Sequence, residues 1–123
     1  MWTEEELMLH KELEDLEERS QQCEKMKQQL DQMEDDVLWS NQRSKGLNDD
    51  LYDSFPKDKK LQQLLLEREE LIEQRMLSER TFFQELREDV DGMEKKTSQK
   101  MDDCREELER IRVENKDYIR DIS

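Results

Sequence analysis

The side chains able to do chemistry are few and far apart. His10 is the chain's one histidine, Cys23 and Cys104 are its two cysteines, and no second imidazole exists to build a relay. A nucleophile needs a base within hydrogen-bond reach and a third group to orient that base. Leu9-His10-Lys11 instead reads as open helical surface. Two distant cysteines and one histidine do not make a zinc set, and no stretch has the ligand spacing of a calcium loop. The adjacent acids Glu34-Asp35-Asp36 and Asp102-Asp103 resemble paired catalytic carboxylates only on paper. Consecutive helical residues point about 100° apart, so these acids belong to solvated faces. No glycine loop of phosphate-binding type occurs. The sequence is that of a non-enzyme with no cofactor and no metal.

The elements that carry these residues follow from composition. Of 123 residues, 46% are charged and 32% apolar, and the formal charge is −14. Alanine is absent, with two glycines and one proline. So few turn formers exclude a β-sandwich or barrel, and the apolar share is well below that of a thick globular core. The acidity argues against nucleic acid and anionic lipid as partners. No apolar run exceeds three residues, which excludes membrane insertion, and the acidic Met1–Glu6 stretch lacks the basic start of a secretory signal. A cytoplasmic protein with two reduced thiols is expected.

Periodicity selects long helix. Leu9, Leu16, Cys23, Leu30, Val37, Ser44 and Leu51 recur every seven residues. A companion stripe begins at Leu13 and Ser20 and is expected to drift to Met26, Met33, Ser40 and Leu47, because 3.6 residues per turn slips against a sevenfold repeat. Residues 3 to about 53 therefore read as one helix, loosened between Trp39 and Asn48. Met76, Phe83, Val90, Thr97, Cys104, Ile111 and Tyr118 repeat in the same way, supported by Leu65, Ile72, Leu86 and Met93, then Met101, Leu108 and Ile122. They predict a second helix over about 58–121, with a bend at Asp91-Gly92.

Asp53-Ser54-Phe55-Pro56-Lys57-Asp58 separates the two, with Asp53, Ser54 or Asp58 as the cap of the second helix. The predicted fold is all-α: a long antiparallel two-helix hairpin over residues 1–123, turning near 53–58, with arms on the order of 75 and 95 Å. With Pro56 at the turn, Cys23 lies opposite Asp89 and Cys104 opposite Met8, too far apart for a disulfide.

Three sets of residues exceed what the hairpin needs. Between Leu61 and Leu86, 11 of 26 residues are apolar, and Leu64, Leu71 and Phe82 fall off the seam defined by Met76 and Phe83. Leu38-Trp39 places a tryptophan off the stripe as well. The third set is the acidic arm from Glu4 to Glu18, a solvated face suited to a helix N-terminus. The residues expected to bind protein are Trp39, Leu61, Leu64, Leu66, Leu71, Leu77 and Phe82. Ordering each residue costs roughly 1–2 kcal/mol of backbone entropy, against about 25 cal/mol returned per Å² of apolar burial. A lone hairpin is therefore marginal and is expected to melt broadly unless another helical surface completes it.

In this setting the chain resembles the small acidic helical accessory proteins encoded beside LXG-domain toxins of Gram-positive type VII secretion systems, within the wider WXG-like group of helical hairpins. Leu38-Trp39-Ser40-Asn41 stands where that group carries a Trp-x-Gly turn, with Asn41 in place of glycine. Tyr118-Ile119-Arg120-Asp121 is one residue shorter than a Tyr-x-x-x-Asp export signal. The resemblance implies a cytoplasmic chaperone or targeting factor that packs against the helical LXG region of a toxin, alone, with a second small accessory protein, or as a homodimer. The alternative is a self-associating coiled-coil scaffold with no transport role.

Overall fold

The computed structural model describes residues 1–122, with side chains as far as residue 117. Tyr118, Ile122 and the Tyr118–Asp121 motif fall outside the described side chains. Two helices make up the structure, α1 (Glu4–Ser54) and α2 (Lys59–Ile122). The fold is all-α, two long helices packed antiparallel, as the heptads predict.

Local chemistry sets the helix ends. The Thr3 hydroxyl oxygen accepts the Glu6 N–H at 3.2 Å, and the Thr3 carbonyl takes the Leu7 N–H at 2.9 Å. Glu4, Glu5 and Glu6 fill the first turn, where the helix dipole favours negative charge. At the turn, the Asp58 N–H donates to the Phe55 carbonyl at 3.3 Å, closing a tight reversal around Pro56. Asp58 then caps α2: its Oδ1 accepts the Leu61 N–H at 3.0 Å, and its carbonyl accepts the Gln62 N–H at 2.9 Å. Of the three candidate caps, Asp53 and Ser54 belong instead to the last turn of α1.

Helical structure runs without interruption through 39–48 and through Asp91-Gly92. Among the described residues none has a positive φ, glycines included.

The chain divides into two compact units, Met1–Met26 with Asp89–Ser123 and Lys27–Glu88. In the first, the terminal unit, Leu16, Cys23, Val90, Cys104, Leu108 and Ile111 are buried. Cys104 Sγ donates to the Leu9 carbonyl at 3.4 Å, one residue from the expected level, and both thiols are free. Glu6 is buried at the same end and accepts a hydrogen bond from Asn115 Nδ2 at 3.0 Å.

In the second, turn-proximal unit, Leu30, Leu65, Ile72 and Phe83 form the buried core. One expectation fails here. Met33, Ser40 and Leu47 are exposed, and the companion row of α1 stays one position further on, through Lys27, Glu34, Asn41 and Asn48. Paired helices hold a strict sevenfold seam by slight under-winding, so the stripe does not drift. The polar seam residues are tolerated because α2 supplies partners. Asn48 Nδ2 donates to the Leu65 carbonyl at 2.9 Å. Asn41 donates to Glu79 and accepts from Arg75, both at 2.9 Å.

Candidate functional site

Every candidate site residue lies in the turn-proximal unit. A residue one position after a seam residue projects from one edge, and a residue one position before it projects from the other. On α1 the seam runs through Leu30, Glu34, Val37, Asn41, Ser44 and Asn48; on α2 it runs through Leu65, Glu69, Ile72, Met76, Glu79, Phe83 and Leu86.

The edge that follows the seam carries the charge pairs between helices. Lys45 Nζ lies 3.6 Å from Glu73 Oε1. Arg87 spans to Asp31 at 2.6 Å and to Glu34 at 2.9 Å. Those hydrogen bonds, Asp31 first and then Glu34, raise the Arg87 pKa above its ordinary value. Between the two pairings a cleft opens, lined by Val37 and Leu38 of α1 and by Met76, Leu77, Arg80 and Phe83 of α2. Leu38 and Leu77 stand on this edge; Leu77 is 65% exposed. Leu66 lies on the same edge toward the turn and is also exposed.

The opposite edge differs in character. Met33 and Leu47 of α1, with Leu64, Leu71 and Phe82 of α2, are all exposed, Leu71 reaching 65%. Leu64, Leu71 and Phe82 each precede a buried residue (Leu65, Ile72, Phe83), which is why they leave the seam together.

Trp39 belongs to neither edge. It lies midway between seam residues Val37 and Asn41, on the outer face of α1, 62% exposed, with the Arg43 guanidinium 5.5 Å from its ring centroid. Leu61 is half-buried beside the turn. The seven candidates thus do not form one face. Leu64, Leu71 and Phe82 share one edge, Leu66 and Leu77 share the other, and Trp39 faces away from the seam. Sequence reasoning placed Met33 and Leu47 in the core by their heptad spacing, and singled out Leu38 only together with Trp39, whereas the structure exposes all three.

The chemical residues remain separate from these surfaces. In the terminal unit His10 stacks on Trp2, with ring centroids 3.8 Å apart. Burial, then the charge of Glu12, raises the Cys104 thiol pKa. Among the described residues no cluster of three His, Cys, Asp or Glu side chains could hold a metal ion, and no helix is long and apolar enough to cross a membrane.

Comparison with protein-family models, with curated proteins and with solved structures gives no match for this chain.

Proposed function

We propose that this protein is a non-enzymatic helical binding protein that receives a partner helix in the cleft between Leu38 and Leu77. Exposed leucines open directly onto the seam residues Val37, Met76 and Phe83, and this single observation carries the reading. A helix laid there would extend the heptad core sideways, burying apolar surface that the two-helix pair leaves in water. Glu34, Glu73 and Glu79 at the cleft, beside Arg80 and Lys45, add charged groups that select orientation and partner more than they add affinity.

The resemblance to the accessory proteins of LXG toxins supplies the identity of the partner in this proposal: the long helices of a toxin's LXG region, held soluble and delivered to a type VII secretion system from the cytoplasm. Binding is then co-packing of helices, with the acidic outer faces keeping the complex soluble. Co-expression of this chain with the helical region of such a toxin, followed by affinity capture, tests the proposal. The partner is expected to co-purify with the wild type and to be lost with Leu38→Glu or Leu77→Glu while helicity is unchanged. Capture that survives both substitutions removes the cleft from the account, and absence of capture by the wild type removes the toxin partner.

A further inference from the structure

The edge opposite the cleft carries an order of residues that a second copy of the same chain would match. We propose that the turn-proximal units of two copies pack through this edge, about a two-fold axis passing between Ser40 and its symmetry mate, to form an antiparallel four-helix bundle.

On α1, Met33 and Leu47 lie seven residues to either side of Ser40, so rotation about an axis at Ser40 brings Met33 of one copy over Leu47 of the other. Asp36 and Arg43 bracket nearly the same point, and the rotation places each opposite its counter-charge. On α2, Leu71 and Phe82 are centred between Met76 and Leu77, as are Arg68 and Glu85. The axis then sets leucine on phenylalanine and arginine on glutamate.

These two centres were found on separate helices, yet they lie at one level of the fold. Asn41 reaches both Arg75 and Glu79, which puts α1 near residue 41 beside α2 near residue 77. One rotation therefore satisfies the apolar and charged pairings of both helices. An isologous contact requires this self-complementarity, and a contact with an unrelated helix does not. Ser40 and Ser78 are small at the centre, and Arg75, on the same edge, is held by Asn41 and Glu79 of its own chain.

The size is adequate. Leu64 to Phe82 spans about 27 Å of helix, and a helix pair is about 20 Å wide. That footprint, about 540 Å² per partner, just clears the roughly 1,000 Å² in total that a specific interface needs. The cleft on the other edge stays open in such a dimer, so this inference stands or falls separately from the proposed function.

Sedimentation equilibrium of the full chain tests the proposal, with circular dichroism as the check on folding. The wild type is expected to have twice the mass of one chain. Leu71→Glu and Phe82→Glu, both at side chains already exposed within the single chain, are expected to give helical monomers. Asp36→Arg is expected to weaken association roughly fivefold, and the exchange of both charges (Asp36→Arg with Arg43→Asp) to restore it, at the energies usual for exposed pairs. Ser40→Cys is expected to give a disulfide-linked dimer on mild oxidation, while the wild type, whose own thiols are buried, stays unlinked.

A two-fold axis parallel to the helices would instead set Ser40 against Ser78. Ser40→Cys would then link only when paired with Ser78→Cys, which overturns the arrangement. A wild type that remains monomeric at its solubility limit, or a dimer indifferent to both glutamate substitutions, overturns the proposal entirely.

Discussion

Asn48→Leu is expected to stabilise the protein. Asn48 is only 2% exposed, and its amide is half satisfied: Nδ2 donates to the Leu65 carbonyl at 2.9 Å, whereas Oδ1 is buried without a hydrogen-bond partner. Leucine forfeits one neutral hydrogen bond, worth about 1 kcal/mol. It also relieves the buried acceptor, a gain of roughly 1–3 kcal/mol, and adds apolar burial of similar size, part of which repacking consumes. The net expectation is about 2 kcal/mol of added stability and a rise in Tm of several degrees.

Asn41→Leu is the control, because both polar atoms of that amide are engaged and its substitution strips Arg75 and Glu79 of a partner. It should gain at least ~1 kcal/mol less than Asn48→Leu. Urea unfolding at one fixed protein concentration measures both, since association shifts apparent stability by mass action. A loss of 1 kcal/mol or more for Asn48→Leu would refute the reasoning, showing that its hydrogen bond outweighs the orphaned acceptor.

Other substitutions probe the frame. Nothing lies within 4 Å of a Cβ added at Gly46 or Gly92, so alanine at either site should add roughly 0.5–1 kcal/mol, read from thermal or urea unfolding. Asp58→Ala removes the cap of α2 and should cost about 1 kcal/mol, with helical content nearly unchanged by circular dichroism. Phe83→Ala empties a buried seam position and should cost about 3–5 kcal/mol in the same urea assay.

Burial and Glu12 raise the Cys104 pKa, so the folded thiol should alkylate at pH 8 more slowly than the urea-unfolded chain, measured by mass spectrometry. The same shift lowers stability as pH rises through the ordinary thiol range, because the unfolded chain then ionises first and binds fewer protons than the native one. Stability that climbs across that range would contradict the direction of the shift.

The helices were legible because their signals are local. Sevenfold recurrence from Leu9 to Val37 and from Met76 to Ile111, with Pro56 between them, sufficed for two arms and a turn. The second seam row of α1 was not legible. A pattern search follows apolar residues and therefore chose Met33 and Leu47, whereas the fold buries Asn41 and Asn48, whose partners Arg75, Glu79 and the Leu65 carbonyl lie 17 to 38 residues away. Burial of an amide depends on what faces it, which periodicity within one helix does not encode. The apolar surplus around Leu61–Leu86 was visible for the same local reason that the helices were. Its division between two edges was not, because Leu71 and Leu77 separate only once the seam between them is fixed.

The central claim is that this hairpin is completed by other helices through two distinct edges. Native mass spectrometry of the full chain co-expressed with the helical region of an LXG toxin tests it most directly. The account predicts an assembly holding two copies of this chain together with the partner. Leu38→Glu or Leu77→Glu should leave the two-copy species without partner, and Leu71→Glu should leave single copies still carrying it. A wild-type chain found only as a single copy with nothing bound would contradict the claim.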